Sequence, residues 1–315
     1  MKNEILRRLS ALALGLALLL NAAPLPQAFA VEDDTDASSS DSADSTDTTD
    51  KTVVTTADND PTVTAAAANA PALDATAALL VSPESDMVLY EKNADEKRYP
   101  ASTTKIMTAL LTLENVSDLS VVVTAEASDF ENVTADSSNA GIKLGEQVTV
   151  KDLLYALMLP SANEAAYMLA RHVGGSWEQF VDMMNERAAE LGCTGTHFCN
   201  PCGLHEDDHY TTAHDLYRIA KQAMKDATFR DIVSTVQHRM AKTNLHEERI
   251  ILTTNQLIFS SFQPWSYANC LGIKTGHTSQ AGNCFVGYAE YGDAKLFSVV
   301  LGCSSSSKEY PTIAA

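Results

Sequence analysis

From residue 73 onward the apolar positions run first in strand patterns, then in helical ones, then in strands again. Ala77-Ala78-Leu79-Leu80-Val81 and Met87-Val88-Leu89-Tyr90 flank the turn Ser82-Pro83-Glu84-Ser85-Asp86, which predicts a hairpin. Apolar residues at helical spacing then predict a helix from Ser102 to about Val116. Further helices follow over Lys151 to Leu159, behind the start signal Thr149-x-x-Asp152, and over Asn163 to Val173, Trp177 to Leu191 and Ala213 to Met224. Strands return at Gly272 to Gly276, Cys284 to Glu290 and Ala294 to Leu301, joined by turns rich in Gly, Asn and Asp. Strands at both ends around a helical insert predict an α+β fold: an antiparallel sheet completed by N- and C-terminal strands and covered by helices.

The region before residue 73 reads differently. Lys2, Arg7 and Arg8 precede the apolar run Leu9 to Leu20 and the small-x-small triplet Ala28-Phe29-Ala30, so residues 1–30 have the form of a cleaved export signal. The apolar run falls short of the roughly 20 residues needed to span a bilayer. No second run of that length occurs, so the mature chain is expected to have no transmembrane span. Residues 31–72 consist largely of Asp, Ser, Thr and Ala without an aromatic residue and read as a disordered tether. Ten acids and one lysine between 31 and 60 account for nearly half of the formal net charge of −19. The acidity therefore belongs mostly to the tether, and it argues against a nucleic-acid partner, which would need a basic footprint. Residues 73–315 are enough for one domain with a sizeable core.

Three short stretches of the folded part can carry chemistry. Ser102-Thr103-Thr104-Lys105 puts a hydroxyl and an amine on one helix face. The apolar residues behind Lys105 predict a partly desolvated amine with a lowered pKa, available as a base. The bland alternative, Ser102 as a plain helix cap, fits poorly, because a capping box prefers Glu or Gln at the third position. In Ser161-Ala162-Asn163 the hydroxyl can relay a proton and the amide can hold a carbonyl or the lysine amine, although Ser161-x-x-Glu164 is also a capping-box pattern. In Lys274-Thr275-Gly276-His277 a cation and a hydroxyl on a strand can hold a terminal carboxylate, and the glycine permits close backbone approach to a ligand.

Ser-x-x-Lys, a Ser-x-Asn element and Lys-Thr-Gly in this order form the signature set of penicillin-binding proteins and class A β-lactamases. With the stretches VLYEKNADEKRYPASTTKIMTALLTLE, MNERAAELGCTGTHFCNPCGL, HYTTAHDLYRIA and GIKTGHTSQAGNCFVGYAE, the chain resembles the serine-type D-alanyl-D-alanine carboxypeptidases, low-molecular-mass penicillin-binding proteins. The resemblance runs from about residue 72 to 303 and implies a β-lactamase/transpeptidase-like fold. It implies Ser102 as nucleophile, Lys105 as general base, Ser161 as proton relay and Asn163 as its companion. Lys274 and Thr275 would recognise the carboxylate of a peptidoglycan stem pentapeptide, Gly276 would line the site, and the backbone N–H groups of Ser102 and His277 would form the oxyanion hole. β-Lactam antibiotics would be covalent inhibitors, and the work place would be the cell envelope. Family members usually continue into a further helix, and many into a second β-rich domain and an anchor, so the domain at 73–315 reads as truncated at its C-terminus.

A β-lactamase would need a deacylating glutamate, and the stretch after Ser161 shows NPCGLHEDDHYTTAHD where class A enzymes carry Glu-x-x-Leu-Asn. Endopeptidase action on cross-links shares the same chemistry and stays open. A non-catalytic wall-binding or penicillin-sensing protein would be expected to lack Ser102 or Lys105. No cofactor or metal is expected: Cys193, Cys199 and Cys202 with His197 and His205 lack a second Cys-x-x-Cys pair. The six cysteines allow up to three disulfides or free thiols. No histidine among His172, His197, His205, His209, His214 and His277 is needed as a base, and Trp177 and Trp265 read as packing residues.

Overall fold

Residues on successive strands alternate between two apolar faces, and this sets the architecture. The structure, a computed structural model, describes residues 52–53, 73–134, 137–259 and 266–304. The expected export signal, nearly all of the expected tether and Trp265 lie outside the described residues. The short strand β1 (Thr52–Val53) is the outermost member of a six-stranded sheet. β2 (Ala77–Ser82) and β3 (Met87–Lys92) form the expected hairpin. The sheet order is β1-β3-β2-β10-β9-β8, with β8 (Cys270–Thr278), β9 (Gly282–Tyr291) and β10 (Ala294–Cys303) supplied by the end of the chain. Every pairing is antiparallel, and β10 joins β2 through Phe297↔Val81 to Leu301↔Ala77, so both ends of the domain complete one sheet as expected.

Leu79 and Val81 of β2, Val286 of β9 and Val299 and Leu301 of β10 face the helices, while Ala78, Phe285 and Val300 face the other way into a second apolar cluster with Leu257 and Cys270. Both faces are covered, which is why these strands read as continuous apolar runs without polar alternation. Five helices fill the insert and its flank: α1 (Lys105–Asn115), α2 (Val150–Met158), α3 (Asn163–Gly174), α4 (Trp177–Glu190) and α5 (Ala213–Ala223). Their buried residues Met107, Leu110, Leu154, Leu157, Met168, Phe180, Leu216 and Ile219 share one core with the sheet. Each large side chain removed from water contributes roughly 1.5–3 kcal/mol. Thr149, Ser176 and Thr212 accept backbone N–H bonds at the starts of α2, α4 and α5, and Thr149 does so from Asp152 as its start signal predicts.

The structure adds elements that periodicity does not predict. Helix α6 (Ala227–Ser234) is capped by Asp226, and two small hairpins stand outside the main sheet: β4 (Val122–Thr124) with β5 (Gln147–Thr149), and β6 (Gln237–Met240) with β7 (Arg249–Leu252). These strands are three or four residues long, too short to show a period. The first helix is also corrected. Ala101–Thr104 forms a 3-10 turn and the α-helix begins at Lys105, because Ala101 takes a positive φ of 48° and Thr103 bonds the Pro100 carbonyl through both its N–H and its hydroxyl. All six cysteines are free thiols, which removes the disulfide alternative.

Candidate active site

The turn that carries Ser102 is made by what precedes and surrounds it. A 3-10 turn has three residues per turn, so positions i and i+3 eclipse and Ser102 and Lys105 stack on one side. Ala101, directly before Ser102, is one of four non-glycine residues with positive φ among the described residues, a conformation that costs on the order of 1–3 kcal/mol. Two glycines pack against this turn. A Cβ at Gly276 would stand 2.9 Å from the Ser102 amide nitrogen, and one at Gly203 would stand 1.9 Å from the Ala101 carbonyl oxygen. Only a residue without a side chain lets either backbone come so close.

Lys105 is fully buried. Its Nζ lies 2.9 Å from Ser102 Oγ, 2.8 Å from Asn163 Oδ1 and 2.6 Å from the Cys202 carbonyl oxygen. Burial pushes its pKa down to about 8, partly opposed by the nearby negative charge that Cys202 and Glu164 can carry. The two carbonyl-type oxygens accept its N–H groups. A neutral amine held this way keeps its lone pair for the Ser102 hydroxyl.

Asn163 is the first residue of α3, and its backbone N–H donates to the Ser138 carbonyl at 2.9 Å. Neither cap reading of the two serines describes the structure. The N-cap of α3 is Ala162 without a side-chain bond, and Ser102 sits inside the 3-10 turn. Ser161 is buried at a φ of 65°, and its Oγ has no hydrogen-bond partner among the described residues. A strained residue with an unpaired buried hydroxyl is the mark of a functional position more than of a stabilising one. Behind this corner Glu164, also buried, accepts the Ala140 N–H at 2.6 Å on Oε1 while Oε2 has no partner among the described residues, and burial raises its pKa.

Strand β8 closes the site. Lys274 is 1 % exposed, donates to the Thr275 carbonyl at 3.0 Å, and has its pKa pushed well down by burial and by the neighbouring charge of Lys105. Thr275 is half-buried, and its hydroxyl lies 2.6 Å from that of Thr254. The His277 side chain is exposed, with Nδ1 3.1 Å from Asn283 Oδ1. The structure thus joins Ser102, Lys105 and Asn163 by direct bonds, seats Gly276 against the Ser102 amide, and keeps Lys274 within electrostatic reach of Lys105. Ser161 Oγ and Lys274 Nζ make no hydrogen bond to Ser102 or Lys105.

The residue list read from the motifs omits Cys202, Gly203, Glu164 and Thr254. A backbone carbonyl has no signature in a sequence, so the Cys202 contact is visible only in three dimensions. Asn200, 2 % exposed, shapes the turn that aims it: Oδ1 accepts N–H bonds from Cys202 at 3.2 Å and Gly203 at 2.7 Å, while Nδ2 donates to the Leu204 carbonyl at 2.9 Å. His209 is buried beneath the site, 2.8 Å from Thr104 Oγ1, and burial lowers its pKa to about 3, so it is a neutral packing group. Trp177 packs edge-on against Tyr167, as a core residue would.

A family model described as D-alanyl-D-alanine carboxypeptidase matches residues 64–305. The chain is 34 % identical over 230 residues to the D-alanyl-D-alanine carboxypeptidase DacF of Bacillus subtilis (strain 168), covering 73 % of this chain and 57 % of that protein. It is 36 % identical over 230 residues to a D-alanyl-D-alanine carboxypeptidase of Streptomyces sp. (strain K15), covering 69 % of this chain and 77 % of that one. The crystal structure of the Streptomyces K15 DD-transpeptidase superposes with a TM-score of 0.69 at 35 % identity, covering 75 % of this chain and 92 % of that one. The chain therefore spans little more than half the length of some relatives and about three quarters of another. On the match across most of its length and on the shared fold, it belongs to the D-alanyl-D-alanine carboxypeptidase family.

Proposed function

We propose that the protein is a serine-type D-Ala-D-Ala carboxypeptidase that removes the terminal D-alanine from peptidoglycan stem peptides through an acyl-enzyme, and that penicillins trap it. The observation that carries this reading is Lys105 Nζ, held by two acceptor oxygens and 2.9 Å from Ser102 Oγ. The neutral amine takes the hydroxyl proton as Oγ attacks the carbonyl of the penultimate D-alanine. The backbone N–H groups of Ser102 and His277 stabilise the developing oxyanion, each such donor being worth about 3–4 kcal/mol. Ser161 relays the proton to the departing amine of D-alanine, Asn163 holds Lys105 and the substrate backbone, and water then hydrolyses the ester. Lys274 and Thr275 receive the substrate carboxylate. Lys274, buried and with no carboxylate bonded to it among the described residues, favours an anionic ligand at this point. The Gly276 backbone lets the substrate strand lie close to the nucleophile.

The same reading places the work outside the cytoplasm, with residues 1–30 as export signal, 31–72 as acidic tether and the domain from 73 onward acting on the wall. Among the described residues no helix is long and apolar enough to cross a membrane. A nucleic-acid partner is not part of this proposal. The similarity to the Streptomyces K15 DD-transpeptidase favours a second outcome for the acyl-enzyme, transfer to an amine instead of water.

The test is to incubate the purified chain with a fluorescent penicillin and with a D-Ala-D-Ala-terminated pentapeptide, alongside Ser102→Ala. Covalent label and D-alanine release by the parent, both lost in the variant by at least about 10⁴-fold, are expected. D-alanine release that survives Ser102→Ala would refute the reading. Adding glycine as acceptor separates hydrolysis from transfer.

A further inference from the structure

Thr254 was not among the motif residues, yet its hydroxyl is the partner of Thr275 at 2.6 Å. Both residues are half-buried, so the pair is reached from solvent. Thr254 is held firmly. Its N–H donates to the carbonyl of Leu159, the C-terminal cap of α2 two residues before Ser161, at 3.0 Å. On one side the Thr253 N–H donates to Val236 at 2.9 Å. On the other, Asn255, 2 % exposed, bonds Thr253 Oγ1 through its N–H at 3.1 Å and takes the Leu257 N–H on Oδ1 at 3.1 Å. Thr254 thus bridges the Ser161 loop and strand β8.

We propose that Thr254 is a second recognition residue for the substrate's terminal carboxylate, forming with Thr275 a two-hydroxyl clamp. This rests on the carboxypeptidase reading above. Each threonine hydroxyl has one proton and two acceptor lone pairs. In the free protein one hydroxyl donates to the other, and only the second has a proton to spare. A carboxylate is acceptor-only and binds in pairs, so two hydroxyls side by side can each turn a proton to a separate oxygen. The next residue along β8 from Thr275 is the buried Lys274, whose amine donates to a neutral carbonyl, so the clamp lies beside an amine with no carboxylate bonded to it among the described residues. A peptide ending in a free carboxylate is the ligand this chemistry selects, and one ending in a neutral amide is the ligand it rejects.

The experiment compares kcat/KM for a diacyl tripeptide ending in D-Ala-D-Ala with that for its C-terminal carboxamide, for the parent, Thr254→Val, Thr254→Ser, Thr275→Val and the double valine variant. A hydrogen bond to a charged group corresponds to about tenfold or more. Thr254→Val is expected to lower kcat/KM for the carboxylate about tenfold through KM, with the carboxamide changed less than about twofold and Thr254→Ser near the parent. The double variant is expected to lose more than either single variant and up to about 100-fold, since two hydroxyls in contact need not add in free energy. Equal loss on both substrates, or no further loss when Thr254→Val is added to Thr275→Val, overturns the clamp while leaving the carboxypeptidase reading intact. A parent chain that releases no D-alanine and takes up no penicillin label overturns both.

Discussion

The two ends of helix α3 meet basic side chains in opposite ways. At its C-terminal end Arg171 is tied to carboxylates: Nε and Nη2 take Asp129 in a two-point grip at 2.9 Å each, Nη1 takes Glu126 at 3.0 Å, and Nη2 also reaches the Thr124 carbonyl at 2.8 Å. Its pKa is raised, the Asp129 hydrogen bonds being the main cause, so the charge is locked on. At the N-terminal end Asn163 meets Lys105 with a neutral amide oxygen, and the second fixed acceptor is the neutral Cys202 carbonyl. Without a carboxylate bonded to it, burial prevails and the Lys105 pKa falls to about 8. The two ends serve different purposes. Neutral acceptors hold an amine in place without stabilising its charge, whereas carboxylates trade away reactivity for a fixed structure.

Removing the amine has the largest expected effect. Lys105→Met is expected to lower the rate of penicillin acylation by about 10³-fold, in the range for losing a positioned general base. In the parent the same rate is expected to drop about tenfold per pH unit below about 8, since the protonated amine has no lone pair. A stopped-flow pH series checks both, and a profile flat from pH 6 to 9 would contradict the base assignment. Lys274→Met comes next. Its folded-state pKa lies below the ordinary lysine value, so the charged form is penalised in the folded state below that ordinary value, and the penalty fades as pH rises toward it. Replacing it is expected to cost about 10²-fold in kcat/KM for a carboxylate-ended peptide while raising Tm at pH 7 by a few degrees. A lower Tm would show that the buried amine stabilises the fold.

The smallest effect on activity is expected at the structural end. Arg171→Met leaves the Asp129 carboxylate, 1 % exposed, without its grip and should cost about 2–3 kcal/mol, a little under the usual loss for a buried pair because Arg171 keeps 20 % of its side-chain exposure. Tm should fall by roughly 6 °C while kcat stays within about twofold. A large loss of kcat with unchanged Tm would reverse the roles assigned to the two ends of α3.

Much of the fold was legible because its elements are long and apolar. The start signal Thr149-x-x-Asp152 and the runs at Leu79, Val286 and Val299 each marked an element that the structure contains. The small hairpins at Val122–Thr124 and Arg249–Leu252 were not legible, since three or four residues carry no period. The helix expected from Ser102 begins three residues later, because the geometry of Ala101 is decided by what presses on it from Gly203 and Gly276. Within the site the motifs pointed to side chains and missed what orients them.

Local chain chemistry by itself determined that a hydroxyl and an amine stand three residues apart before an apolar helix, that a hydroxyl and an amide recur in a loop, and that a lysine and a threonine lie on a strand. Spacing along one element is enough for that. Tertiary structure alone decided that Lys105 is stripped of water, that its amine is gripped by Asn163 and the Cys202 carbonyl, and that the Thr254 hydroxyl reaches Thr275. Burial and long-range hydrogen bonds depend on which elements pack together, and the partners lie 58, 97 and 21 residues apart in the chain.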